Sequence, residues 1–211
     1  MAPRVKAKYM FVWLFITSVL YFSVQTLVTH SYSFMTPLDG VFLFVPEFVW
    51  VYHTLIPVII GTTVFSMQRR DVFFTTVLAL TFAALTLTIF HILLPSFYPR
   101  EPIDPTLSLS VWLVQVTRAV DSACNTFPSG HVAFAWVLYF CVRGSEAVKR
   151  RKSLSVVYLL WAALISLSTL MLKQHYIFDV IAGIFLAHVA VTIAKKGVDG
   201  YLNEMSSPRG S

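Results

Sequence analysis

The sequence predicts an all-α polytopic membrane protein with six transmembrane helices and a short interfacial helix between the third and fourth. Three observations support this fold class. The 211 residues are 57% hydrophobic. Only 12% are charged, whereas soluble domains carry about 25%. Several uncharged runs also reach the roughly 20 residues that a helix needs to cross a bilayer. We interpret residues 1–211 as a single membrane-embedded domain.

The first predicted span covers about 9–29. It follows a short basic stretch, as a secretory signal peptide would, but it is longer than a signal-peptide core and lacks a small-residue cleavage site. We therefore read it as a membrane helix. The second and third spans are predicted at 48–67 and 72–94, each an almost continuous apolar run.

The fourth span is the shortest. The apolar run 132–142 covers only about 16 Å at 1.5 Å per residue, so it crosses only if it begins below the outer surface or continues past Gly144. We count it as a span because the fifth and sixth, at 154–172 and 176–194, would otherwise exchange sides of the membrane.

Six crossings from a cytoplasmic N-terminus predict where the basic residues lie. In this topology 13 of the 16 Lys and Arg are cytoplasmic, as the positive-inside rule requires. They are Arg4, Lys6, Lys8, Arg69, Arg70, Arg143, Lys149, Arg150, Arg151, Lys152, Lys195, Lys196 and Arg209. Because these residues cluster at the ends of apolar runs, we read the net charge of +6 as a topology signal. It does not indicate a nucleic-acid partner.

The longest segment outside the spans runs from 95 to 127, on the predicted outer face. It opens with four prolines, which forbid regular helix before about Thr106. Between 107 and 120 apolar residues recur at helical spacing, which predicts a short interfacial helix.

A first chemical motif, Asn-Thr-Phe-Pro-Ser-Gly-His, ends at His131 and runs directly into the fourth span. A helix N-terminus presents free backbone N–H groups and the positive end of its dipole, which bind anions such as phosphate. Ser129 adds a hydroxyl donor, and Gly130 lets the backbone approach an oxyanion closely. His131 would stand in the first turn, beside the bound anion.

A second motif opens the sixth span. His175 and Asp179 are four residues apart and so share one helical face. A carboxylate on one ring nitrogen fixes the tautomer that leaves the other nitrogen free to attack. Asp179 also lies in an apolar run, where ionisable residues are rare and usually functional.

Both histidines belong to one predicted site, because the fourth and fifth spans form an antiparallel pair between them. Three cations remain on that outer face: Arg100, Arg118 and Lys173. Their charge could neutralise a phosphoryl group during transfer.

These motifs resemble the type 2 phosphatidic acid phosphatase and vanadium haloperoxidase superfamily. The resemblance rests on Phe-Pro-Ser-Gly-His at 127–131 and His-Tyr-Ile-Phe-Asp at 175–179, in a chain with six predicted helices. The matching motifs lie within roughly residues 90–190, and the rest of the chain resembles the family only in its number of predicted helices. It implies a metal-independent phosphohistidine mechanism in which His175 is the nucleophile, Asp179 orients it and His131 protonates the leaving oxygen.

Three positions depart from the family pattern. This chain has Leu93 where the family has a lysine, Glu101 where it has a proline, and Thr169 where it has an arginine. Arg100 matches the arginine of the family's first motif, which is Lys, six residues, Arg-Pro. The resemblance therefore assigns Arg100 to phosphate binding with Ser129 and Gly130. Lys173 and Arg118 are candidate replacements for the missing cations.

Other segments are similar to the aureobasidin-resistance or inositol-phosphoryl-ceramide-synthase branch, whose members transfer a phosphoryl head group between lipids. They are 44–52, 96–101 and 168–176. Asp39 and Glu47 would be possible partners for an acceptor hydroxyl. A lipid phosphotransferase is therefore an alternative to the lipid phosphatase that we expect.

A non-catalytic lipid-binding or transport protein on the same fold is a second alternative. The sequence shows no metal-binding spacing, so we expect no metal and no cofactor. The expected partners are the bilayer and a membrane lipid phosphate, while the oligomeric state stays open. We expect the site to face the periplasm, a lumen or the exterior, with both termini cytoplasmic.

Overall fold

The computed structural model describes residues 3–27, 32–66, 69–145 and 152–206. Those residues form eight α-helices and a 3₁₀ turn at Pro37–Val41, and they contain isolated β-bridges but no strand. The helices are α1 Pro3–Leu27, α2 Phe48–Tyr52, α3 Leu55–Ser66, α4 Arg70–Leu93, α5 Leu109–Val120, α6 Gly130–Arg143, α7 Lys152–Met171 and α8 Ile177–Ser206. The predicted all-α class is confirmed.

Four helical stretches are long and apolar enough to cross a membrane by length and composition. They are Phe48–Ser66, Val72–Leu93, Lys152–Met171 and Ile177–Tyr201. They correspond to the second, third, fifth and sixth predicted spans. The apolar helices Phe11–Leu27 and Gly130–Arg143 are shorter, so a count of six crossings stays a prediction.

Large apolar side chains point outward from several of these helices. Phe15 of α1, Phe65 of α3 and Phe185 of α8 are 71%, 84% and 69% exposed. An extensive exposed apolar surface is unusual in a soluble monomer, whereas lipid is its natural solvent. Together with the apolar helices, this surface identifies a membrane protein.

Helix α6 lies at the centre of the bundle, packed against α3, α4, α7 and α8. Its residues Val132, Ala133, Ala135, Val137 and Leu138 are fully buried. The residue before the helix, Ser129, is also fully buried, so α6 begins inside the protein. Its role as a membrane span stays a prediction.

Close packing at the start of α6 requires a glycine on α8. A Cβ on Gly183 would lie 2.8 Å from the Ser129 carbonyl oxygen and 3.2 Å from Val132 Cβ. Neither neighbour can move without shifting the backbone of α6. Gly183 therefore lets the second turn of α8 pack against the segment that carries His131.

The second predicted span is interrupted at His53 and Thr54, which separate α2 from α3. Thr54 Oγ1 donates to the Val51 carbonyl at 2.6 Å and accepts from Trp161 Nε1 at 2.9 Å. This break ends α2 at Tyr52, whose side chain is buried.

Helix α5 is the helix predicted between the third and fourth spans. Ser108 caps it, with Oγ accepting from Val111 N at 3.2 Å. Val111 and Val114 are buried, while Leu109 and Trp112 are more than half exposed. The existence of this helix is confirmed, and its placement at the membrane interface stays a prediction.

Candidate active site

The loop before α6 is held in place by the segment that follows α4. Ser96 is fully buried, and its carbonyl accepts from Asn125 N at 2.9 Å. Its hydroxyl oxygen accepts from Thr126 Oγ1 at 2.9 Å and from Phe127 N at 2.8 Å. Because one buried residue satisfies three donors, the loop carrying Asn125 and Thr126 has a defined position.

Ser129 caps α6 and links it to α8. Its Oγ accepts weakly from Val132 N at 3.4 Å, and its backbone N–H donates to the Asp179 carbonyl at 3.0 Å. The serine hydroxyl proton stays available for another acceptor. Next to it, a Cβ on Gly130 would meet only Leu87 Cδ1 at 3.5 Å, so the start of α6 is uncrowded.

The ring of His175 is oriented by a backbone carbonyl. Its Nδ1 lies 2.9 Å from the Thr126 carbonyl oxygen and 3.4 Å from Asp179 Oδ2. A carbonyl oxygen can only accept, so Nδ1 carries the proton and Nε2 presents its lone pair. The structure therefore brings His175 and Asp179 together as predicted, and adds Thr126 as the nearer partner.

Asp179 is fully buried. Its Oδ2 accepts from Tyr176 N at 2.8 Å, which fixes the carboxylate at the start of α8. Its Oδ1 has no hydrogen-bond partner among the described residues. The carboxylate thus supports the proton on His175 Nδ1 electrostatically and also holds the backbone next to that histidine.

His131 is held by ring stacking. The Tyr52 ring lies over it with centroids 3.9 Å apart and an interplanar angle of 23°. The Tyr52 hydroxyl donates to Asp121 Oδ2 at 3.0 Å, and the Tyr21 hydroxyl donates to Asp121 Oδ1 at 2.6 Å. No described residue forms a hydrogen bond with the His131 ring, so its nitrogens are free to exchange a proton with a ligand.

Arg100 is bound to the loops that carry the site. Its Nη1 donates to the Asp121 carbonyl at 2.6 Å, and its Nη2 donates to the Ser122 carbonyl at 3.0 Å and to Gln174 Oε1. Burial lowers the pKa of the Arg100 guanidinium, and the nearby Asp121 carboxylate opposes that shift. Gln174 directly precedes His175, so this last hydrogen bond connects the guanidinium to the turn that carries the nucleophile.

The other two predicted cations contact backbone carbonyls elsewhere. Lys173 Nζ donates to the Asp39 carbonyl at 3.1 Å. Arg118 Nη1 donates to the Glu101 carbonyl at 2.8 Å, and its guanidinium lies 5.4 Å from the centroid of the Phe44 ring. The structure does not bring Lys173 or Arg118 onto the two histidines, and their contact with phosphate stays a prediction.

Asp39 has a structural role at the start of α8. It is buried, with Oδ1 accepting from Ile177 N at 2.8 Å and Oδ2 accepting from Thr36 N and Oγ1, both at 2.7 Å. Both carboxylate oxygens are therefore occupied. Asp39 attaches the segment after α1 to the turn that carries His175.

Several buried polar atoms near the histidines have no hydrogen-bond partner among the described residues. An amide or similar group buried in this way costs about 1–3 kcal/mol, so such groups are expected to meet a ligand or ordered water. The atoms in this part of the protein are His91 Nε2, Arg100 Nε, Asn125 Nδ2 and Oδ1, Gln174 Nε2 and Asp179 Oδ1.

Sequence reasoning missed Tyr52, Asp121, Asn125, Thr126 and Gln174. Three of them had a local signal, because Asn125 and Thr126 directly precede the Phe-Pro-Ser-Gly-His segment and Gln174 directly precedes His175. Tyr52 and Asp121 had none, since they reach His131 only through tertiary packing. The described residues contain no group of three or more His, Cys, Asp or Glu able to hold a metal.

Comparison with known proteins places this site in a family. The model of the PAP2 superfamily matches residues 95–200, which is half of the chain and includes every motif residue named above. The crystal structure of Aquifex aeolicus LpxE has a similar fold, with a TM-score of 0.50 and 17% identity over 77% of this chain and 88% of that one. No curated protein matches the sequence significantly. The family match confirms the resemblance seen in the motifs, and the chain belongs to the PAP2 superfamily.

Proposed function

We propose that this protein is an integral-membrane lipid phosphatase that acts through a phosphohistidine at His175. The observation that carries the proposal is the hydrogen bond from His175 Nδ1 to the Thr126 carbonyl, which leaves Nε2 as a free nucleophile. Membership of the PAP2 superfamily supports a phosphatase, and the apolar helices support a substrate held in the bilayer.

In the first step, His175 Nε2 attacks phosphorus and the bond from phosphorus to the lipid oxygen breaks. The negative charge of the bound phosphoryl group favours His131 as the imidazolium, which gives its proton to that oxygen, so the product leaves as an alcohol. The Thr126 carbonyl and Asp179 stabilise the positive charge that develops on the His175 ring. Arg100, the Ser129 hydroxyl and the Gly130 amide would hold the phosphoryl oxygens.

In the second step, water attacks the phosphorus and the bond from phosphorus to His175 Nε2 breaks. His131, now neutral, takes a proton from the water and returns to the imidazolium. The sum is lipid phosphate plus water giving lipid alcohol plus inorganic phosphate. Each residue ends in its starting state, so no cofactor enters the balance.

Transfer to a lipid or inositol hydroxyl would use the same first step. One candidate partner for such an acceptor was Asp39, but both of its carboxylate oxygens already bind groups of the protein itself. The other candidate, Glu47, is exposed and stays a possible partner. We favour hydrolysis because membership of the PAP2 superfamily supports a phosphatase.

A substrate panel tests the proposed function. We expect purified protein in detergent to release inorganic phosphate from lipid phosphomonoesters or lipid pyrophosphates at a rate independent of added lipid alcohol or inositol. Free phosphate and new phospholipid are followed in the same reaction. Product formed only with an acceptor would replace hydrolysis by transfer, and specific lipid binding without turnover would indicate a non-catalytic protein.

We further propose that the site faces the non-cytoplasmic side and that both termini are cytoplasmic, on the strength of the charge distribution. After replacement of Cys124 and Cys141 by alanine, a cysteine at the exposed Thr106 should react with a membrane-impermeant maleimide in intact cells. A cysteine at Lys196, near the opposite end of the bundle, should react only after permeabilisation. The reverse pattern would invert the topology.

A further inference from the structure

We infer that the buried side-chain amides of Asn125 and Gln174, here called the amide pair, donate hydrogen bonds to the oxygens of the phosphoryl group. This assignment rests on the proposed phosphatase function and names residues of its phosphate site. Both side chains are 2% exposed. Asn125 Nδ2 and Gln174 Nε2 have no partner among the described residues.

Both residues of the amide pair are neighbours in the chain of residues that form the His175 hydrogen bond. Asn125 precedes Thr126, whose carbonyl accepts from His175 Nδ1 at 2.9 Å. Gln174 precedes His175 itself. The loop before α6 and the turn before α8 therefore each carry one buried, unpartnered amide next in the chain to a residue of this hydrogen bond.

Backbone and side-chain contacts hold each amide in place. Asn125 adopts a left-handed conformation with φ of 57°, which asparagine tolerates better than most residues. The Gln174 carbonyl oxygen accepts from Arg100 Nη2, so the amide nitrogen of Gln174 lies close to the guanidinium. Arg100 Nε is also unpartnered among the described residues. A cation and an amide thus present free donors side by side.

The amide pair supplies donors that the other predicted cations do not. Lys173 and Arg118 donate to the carbonyls of Asp39 and Glu101. A phosphoryl group offers several oxygens as acceptors, and hydrogen bonds from neutral donors to an anion stabilise it strongly when water is excluded. We assign phosphoryl binding to Arg100, Asn125 and Gln174 together.

Inhibition by orthovanadate, a tetrahedral phosphate mimic, tests the assignment. Gln174→Met keeps the length of the side chain without its donor, and Asn125→Gly keeps the left-handed backbone accessible without the amide. Each should raise the inhibition constant for orthovanadate and the KM for lipid phosphate by about ten- to a hundredfold. Gln174→Glu should raise both further, because a carboxylate repels the anion.

Gln115→Ala, which removes an exposed amide from α5, is the matched control and should change neither constant. Variants are compared only where they elute as a single species in detergent, and Gln174→Glu serves if Gln174→Met does not fold. Unchanged orthovanadate inhibition in folded variants of an active enzyme would overturn the assignment and leave the phosphatase in place. A wild-type protein that neither releases phosphate nor binds orthovanadate would overturn the proposed function and, with it, the assignment.

Discussion

Replacing His175 with alanine is expected to reduce phosphate release by on the order of 10⁴-fold or more, because no other group in the site can take over the attack on phosphorus. The described structure gives the nucleophile one geometry, with Nδ1 on the Thr126 carbonyl and Nε2 free. The measurement is release of inorganic phosphate from the best substrate of the panel, at saturating concentration and over a range of enzyme concentrations.

The matched control for this prediction is His188→Ala. His188 lies on α8, where its ring contacts Phe140 with centroids 5.5 Å apart. It is exposed and lies more than two helical turns beyond Asp179. We expect this variant to keep wild-type activity. Full activity in folded His175→Ala protein would contradict the mechanism, whatever the control shows.

Replacing His131 with alanine is expected to give the second largest loss, about 10²- to 10⁴-fold with a lipid phosphate. A lipid alkoxide is a poor leaving group and needs the proton that His131 supplies. A p-nitrophenolate leaves without protonation. The loss should therefore be much smaller when p-nitrophenyl phosphate replaces the lipid, provided that it is a substrate.

The comparison of the two substrates separates protonation from binding. If His131 only held the phosphoryl group, its removal would lower the rate with both substrates to the same extent. In that case the Tyr52 ring stacked on His131 would contribute only by positioning His131 for phosphate binding. Equal losses with lipid phosphate and with p-nitrophenyl phosphate would contradict the role of His131 as general acid.

Patterns in the local sequence predicted most of the helices and predicted that the two histidine motifs form one site. Long apolar runs gave α4 and α7 nearly at their observed bounds and α8 at its observed start, since the length of an apolar run is read directly from the sequence. Helix α8 continues to Ser206, 12 residues beyond the predicted end at 194. The spacing of His175 and Asp179 predicted their contact for the same reason. The interruption at His53 and Thr54 was missed although the sequence holds a signal for it. Pro57 has no N–H to donate to the His53 carbonyl four residues earlier, so a new helix begins with this proline in its first turn. Trp161 of α7 then holds Thr54 in place.

The remaining features of the site depend on contacts between distant parts of the chain. Tyr52 reaches His131 across α2 and α6, and Asp39 binds the first residue of α8 from the segment after α1. No spacing rule encodes such contacts, because they follow from how whole helices pack. For the same reason, charge and topology alone placed Lys173 and Arg118 near the phosphate, whereas in the structure their side chains bind nearby carbonyls.

The most direct test of the account is to trap the covalent intermediate. Wild-type protein is mixed with a lipid substrate labelled with ³²P at the phosphoryl group, quenched within milliseconds in alkaline denaturant, and digested for mass spectrometry. We expect label that is stable in alkali and labile in acid, located on His175 and absent from the His175→Ala protein. Phosphate release at the wild-type rate with no label on the protein, or with the label on another residue, would contradict the account.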